Sequence, residues 1–130
     1  MKFVLKIIVP AISMLLLAAT SAVGASPLAG SEWGLAGQDT PFVRFEAEGR
    51  VAGHGGCNRF FGGYEISGES LKIGPLRATR MACAGPVMEE EAAFLARLQE
   101  AAGFRREDGR LELLDGEGGV LMVLHHRDWD

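Results

Sequence analysis

Gly53-His54-Gly55-Gly56-Cys57-Asn58-Arg59-Phe60-Phe61-Gly62-Gly63-Tyr64 places five glycines and an asparagine between Gly53 and Gly63. Such a backbone bends sharply, or runs too close to another segment to carry side chains. Cys57 in this stretch and Cys83 in Thr79-Arg80-Met81-Ala82-Cys83 are the two cysteines of the chain. Three readings of the pair stay open: a disulfide, two buried free thiols, or a redox pair. An oxidising compartment favours the disulfide, which would stabilise the fold by roughly 3 to 4 kcal/mol in the chain-entropy account. The long separation speaks against a thioredoxin-like pair, which has two residues between its cysteines.

The flanking sequence alternates as strands do. Val43, Phe45 and Ala47 recur at every second position, with Phe42, Arg44 and Glu46 on the opposite face, so Phe42 is the one large apolar residue left on the polar side. Glu48-Gly49 turns the chain, and Val51 and Gly53 continue the period into a first hairpin. Tyr64 and Ile66 begin a second hairpin that turns at Ser67 to Ser70 and returns through Leu71 and Ile73, with Pro75 interrupting the ladder. Upstream, Trp33 and Leu35 share a strand face, and Trp33 is expected in the core because so small a domain needs its large apolar residues for burial.

Pro86 to Ala102 reads as the single helix, with Pro86 in its first turn and Gly103 as terminator. Val87, Glu91, Phe94, Leu95, Leu98 and Ala102 trace one face, with Glu91 at its edge. Glu89, Glu90 and Glu91 near the helix start are read as a solvated group rather than a cation site. Beyond the helix, Phe104, Leu111 and Leu113 lie on strands, and the all-apolar run Val120 to Leu124 is expected as a central strand covered on both faces. The polar tail from His125 to Asp130 is expected to fray.

The amino terminus carries Lys2 and Lys6, then an uncharged run from Ile7 to Ser31. Val23-Gly24-Ala25 fits cleavage before Ser26, so residues 1–25 read as a secretory signal peptide and 26–130 as one domain of the periplasm. An uncleaved segment anchored in the inner membrane is the alternative. Without the two signal lysines, 11 basic residues stand against 17 acidic ones, a formal net charge of −6. An acidic domain argues against nucleic acid as the partner, since such binding gains affinity from basic side chains displacing counterions. After signal cleavage no stable membrane insertion is expected.

Chemistry-bearing patterns are sparse. No serine sits in a Gly-x-Ser-x-Gly elbow, and Gly53 to Gly56 lacks the Lys-Ser/Thr ending of a phosphate loop. His54, Cys57, His125 and His126 lack metal-site spacing, and the adjacent His125 and His126 point to opposite faces of a strand. No catalytic, cofactor or metal-binding residue is therefore assigned. Asn58, Arg59 and Arg80 are the candidate binding residues: a Cys57–Cys83 bridge would draw Arg80 toward Asn58 and Arg59 as a small basic spot for an anion or carboxylate. The competing account has Asn58 capping the turn through its side chain and the arginines paired with neighbouring glutamates.

The chain resembles the META domain family, whose bacterial members include the heat-shock protein HslJ. The resemblance rests on Ser31 to Leu35, Val43 to Phe45, Gly49 to Val51, Gly55-Gly56-Cys57-Asn58-Arg59-Phe60 with Gly63-Tyr64, Leu71 to Leu76, Thr79-Arg80-Met81-Ala82-Cys83 and Met88 to Phe94, within residues 28 to 124. The connection from Trp33 to Pro41 looks short, and the tail after Leu124 has no counterpart role. The resemblance implies an α+β domain of antiparallel strands with one packed helix, here a small sheet or partial barrel of about seven to eight strands. It implies an envelope location and roles in stress tolerance, antibiotic (novobiocin) resistance and, in trypanosomatid relatives, virulence or motility, with no catalytic residues to transfer. The function expected is non-enzymatic, through binding of an envelope protein. The alternatives are a barrel that binds a small molecule or anion and, last, an enzyme of unrecognised type.

Overall fold

Alternating apolar residues become eight antiparallel strands in the computed structural model, which describes residues 26–128. The strands are β1 (Ser31–Gly34), β2 (Phe42–Phe45), β3 (Arg50–His54), β4 (Arg59–Ser67), β5 (Ser70–Ala78), β6 (Gly103–Glu107), β7 (Arg110–Leu114) and β8 (Val120–Arg127), with the helix α1 (Gly85–Glu100) between β5 and β6. Each strand pairs with the next, and β8 returns to β1 to close the barrel. The fold is thus α+β, with the sheet closed rather than partial. The signal peptide reading and the end of the tail, including Trp129, lie outside the described residues.

An eight-stranded barrel is just wide enough for side chains to fill. Trp33, Val43, Phe45, Val51, Phe60, Leu71, Leu111, Leu113 and Leu124 point inward and are essentially fully buried. Each such side chain stabilises the fold by roughly 1.5 to 3 kcal/mol relative to exposure. The β5–β6 seam pairs through Ser70 and Gly103 alone. There α1 packs along β5 and touches β8, inserting Phe94 and Leu98 into the same core. Leu28, from the turn before β1, is fully buried with them.

Several boundaries differ from the sequence reading, each for a tertiary reason. The glycine-rich stretch is mostly strand: β3 runs to His54 and β4 starts at Arg59, leaving Gly55 to Asn58 as the turn. Gly53 is required because a side chain there would collide with the Phe42 carbonyl at 2.2 Å and the Phe60 ring at 2.6 Å. Ala47 leaves the strand for a short 3-10 turn (Ala47–Gly49). Pro75 does not break β5, because the β4–β5 ladder shifts register between Gly62 and Tyr64 and resumes beyond it.

The helix begins at Gly85 and ends at Glu100, short of Ala102, and Gly103 pairs with Ser70 and Leu114 in the sheet instead of terminating the helix. The run at Val120 is not covered on both faces. Met122 and Leu124 on the inner face are buried, whereas Leu121 and Val123 on the outer face are only partly covered and Val120, before a register shift, is half exposed. His125 to Arg127 do not fray but pair with Glu32 to Gly34, because closing the barrel needs those residues as a strand.

Candidate functional site

The turn Gly55 to Asn58 is built around a carboxylate that arrives from the helix. Glu91 accepts hydrogen bonds at Oε1 from the backbone N–H groups of Cys57, at 3.1 Å, and Asn58, and at Oε2 from Asn58 Nδ2 at 2.8 Å. Gly55 makes this approach possible, since a Cβ there would stand 2.3 Å from Glu91 Cγ. Gly56 donates its N–H to His54 Nδ1 at 3.0 Å, which puts the ring proton of a neutral His54 on Nε2.

Asn58 joins this turn to the chain leaving β5. Its Oδ1 accepts from Thr79 Oγ1 at 2.9 Å and from the Met81 N–H at 2.6 Å, and its Nδ2 donates to the Met81 carbonyl at 3.3 Å as well as to Glu91. Two lone pairs and two amide hydrogens are all the side chain has, so its capacity is met inside the protein. Cys57 and Cys83 are bridged across the same junction, with Cα atoms 6.0 Å apart. Of the three readings of the cysteines, the disulfide is the one the fold contains.

Burial pushes the Glu91 carboxyl up. Hydrogen bonds from the Asn58 side chain and from the backbone of Asn58 and Cys57, with His54 nearby, outweigh it and hold the pKa below the ordinary glutamate value. The carboxylate is therefore a charged structural strut. Its placement corrects the reading of Glu89 to Glu91 as one solvated group: Glu89 and Glu90 are exposed, but Glu91 is buried. The signal was its spacing on the apolar helix face with Val87, Phe94 and Leu98. The three glutamates also stand beyond the first helical turn, which carries no acidic residue.

The candidate binding residues are brought to one junction, since Thr79 and Met81 on either side of Arg80 bond Asn58 and Thr79 also pairs with Arg59, but they differ in burial. Asn58 is buried in the junction, while Arg59 and Arg80 are exposed and form no salt bridge among the described residues. Sequence reading did not single out Phe61, which is 51% exposed on β4, or Met81, which is 57% exposed beside Arg80. No cluster of metal-ligating side chains occurs among the described residues, and none of their helices is long and apolar enough to cross a membrane.

Both ends of the junction thus carry the motifs quoted from the sequence, on a closed barrel with one inserted helix. A META domain profile matches residues 19–128. The chain belongs to the META domain family. In this META domain the Gly-Gly-Cys-Asn and Thr-Arg-Met-Ala-Cys motifs meet through Asn58, Glu91 and the disulfide. Two solved structures share the fold. One, an NMR structure of a protein from Burkholderia xenovorans, is 23% identical with a TM-score of 0.63, covering 78% of this chain and 85% of its own. A second NMR structure is 22% identical with a TM-score of 0.58, covering 75% and 90% respectively. Among curated proteins, no match to this chain was found.

Proposed function

We propose that the protein is a secreted, non-enzymatic component of the bacterial envelope that acts in envelope maintenance or stress tolerance by binding another protein. The observation that carries this reading is the division between a filled interior and large apolar side chains left on the outside. Phe45, Phe60 and Leu98 occupy the barrel, and the side chains of Asn58 and Thr79 are consumed within the junction. Phe61 and Met81 stand half exposed next to arginines that form no ion pair among the described residues. Large apolar side chains set beside arginine are the composition of protein-binding surfaces.

A second reading, a small-molecule or anion binder, draws on an open cleft of about 720 Å³ between α1 and β8, bordered by Leu35, Phe94 and Leu121. Pockets for small ligands have this size. Photo-crosslinking of the tagged full chain in its native envelope, followed by mass spectrometry, distinguishes the two. Recovery of the same envelope protein in independent preparations is expected. Absence of any protein adduct above that of the reduced, unfolded chain would sink the protein-binding reading. The intact mass of the recovered protein tests secretion, with cleavage before Ser26 expected and a retained leader the contrary result.

A further inference from the structure

The outer face of β2, β3 and β4 carries a charge opposite to that of the domain. Register places Glu32, Arg44, Ala52, Phe61 and Arg77 in one row across β1 to β5, with Arg127 of β8 beyond Glu32. The next row holds Phe42, His54 and Arg59. Directly paired residues share a face, so these side chains stand together on the outside, opposite the buried Val43, Val51 and Phe60.

The buried Glu32 carboxylate is shared between Arg44, at 2.7 Å, and Arg127, at 3.4 Å, and both guanidinium groups flank the Phe42 ring, 5.8 and 5.0 Å from its centroid. Within these two rows of the described residues one carboxylate, Glu32, stands beside Arg44, Arg59, Arg77 and Arg127, and Arg59 and Arg77 form no salt bridge among the described residues, so the rows carry an excess of positive charge. Acidic side chains resume beyond the ends of β2 and β3, at Glu46 and Glu48. Ala52 lies between Phe42 and Phe61 in a shallow groove of about 450 Å³ that Arg44, His54 and Arg59 also border.

We infer that this groove docks an extended acidic peptide segment of a partner protein, with an aromatic or large apolar side chain seated over Ala52 between Phe42 and Phe61. The inference rests on the protein-binding reading above and adds the place and the chemistry. Closure of the barrel leaves β2 to β4 paired on both sides, so the segment is read by side chains rather than added as a strand. The backbones of β2 and β5 lie about 14 Å apart at the usual strand spacing, which about four extended residues span. A carboxylate at the β5 end of such a segment reaches Arg77, in the bidentate geometry that arginine favours, and a second reaches Arg59 on β4. A polyphosphate chain fits less well, because the surrounding domain is acidic and four arginines displace few counterions.

The test titrates the ¹⁵N-labelled, disulfide-intact protein with a short peptide of alternating glutamate and phenylalanine. Parallel titrations replace glutamate by lysine or phenylalanine by alanine, and two more use oligothymidine and phosphatidylglycerol vesicles. Amide shifts confined to β2–β5 around Ala52 and Phe61 are expected, with affinity falling as salt rises. Phe61→Ala and the double variant Arg59→Glu/Arg77→Glu should each weaken the peptide about tenfold or more, with Arg97→Glu on the helix unchanged. Shifts mapping elsewhere, equal binding of the lysine peptide, or tighter binding of oligothymidine or vesicles would overturn the inference. An envelope protein crosslinked only through other surfaces would overturn it too, while leaving the protein-binding reading in place.

Discussion

The Asn58 amide and the Glu91 carboxylate meet across 33 residues of sequence, Nδ2 donating to Oε2 at 2.8 Å with both side chains buried. Through this contact the helix, the β3–β4 turn and the chain leaving β5 become one junction. The disulfide and the Asn58–Met81 hydrogen bonds span the same gap in parallel. The junction is thus held by three linkages, two of them through Asn58, which mutation and reduction can separate.

Removing the strut should be costly. Glu91→Ala deprives the Cys57 and Asn58 N–H groups of their acceptor and takes one of two acceptors from Asn58 Nδ2. A loss of about 2 to 4 kcal/mol is expected, since buried donors left unpaired cost about 1 to 3 kcal/mol each and water entering the cavity recovers part. Urea denaturation of the oxidised protein measures it. A change below about 0.5 kcal/mol, the size of an ordinary surface substitution, would show that the strut carries no load.

The same carboxylate should mark the acid side of the stability curve. Its folded pKa lies below the ordinary value, so its contribution is complete above the unfolded glutamate pKa and is lost as pH falls through the folded one. Glu91→Gln should flatten that part of the curve. Asn58→Asp should act in the opposite sense: it sets a second carboxylate against Glu91, so the pair holds a proton and the variant recovers stability as pH falls from neutrality. Denaturation midpoints followed from neutral to acid pH test both signs.

Gly55 and Gly85 provide a matched comparison. Gly55→Ala places a Cβ 2.3 Å from Glu91 Cγ and should destabilise by about 1 to 3 kcal/mol, as overpacking does. At Gly85, the first residue of α1, a Cβ meets nothing within 4 Å, and Gly85→Ala should be neutral or stabilise by up to about 1 kcal/mol. Thermal unfolding of the two variants should therefore shift in opposite directions, or for Gly55→Ala alone. Equal shifts would refute the close approach.

Reduction of Cys57–Cys83 should lower stability by roughly 3 to 4 kcal/mol, given the 26 residues it spans. Glu91 and Asn58 still bridge the junction after reduction, so the amide spectrum of the barrel is expected to persist. Combining reduction with Glu91→Ala should cost more than the sum of the two separate effects, because each alone leaves the other brace in place. Additive losses would mean that the two act independently.

Much of the barrel was legible in the chain, because alternation at Val43 and Phe45 and at Leu111 and Leu113 reports a half-buried strand without reference to any partner. The helix was legible from the spacing of Phe94, Leu95 and Leu98, and the disulfide was favoured by the count of two cysteines together with the secretory reading of the amino terminus. Phe42 was already visible as the apolar residue on the wrong face of its strand. Its partners in the groove were not, because register between strands decides which residues stand side by side, and Phe61 and Arg77 are 16 positions apart.

The sequence by itself determined the strands, the helix, the family motifs and the excess of acid over base. Tertiary structure alone decided that the barrel closes, that His125 to Arg127 form its last strand, and that Glu91 turns inward. Periodicity records how each segment alternates between core and solvent. A buried carboxylate is stable only where donors from a distant turn converge on it, and no local pattern encodes that convergence.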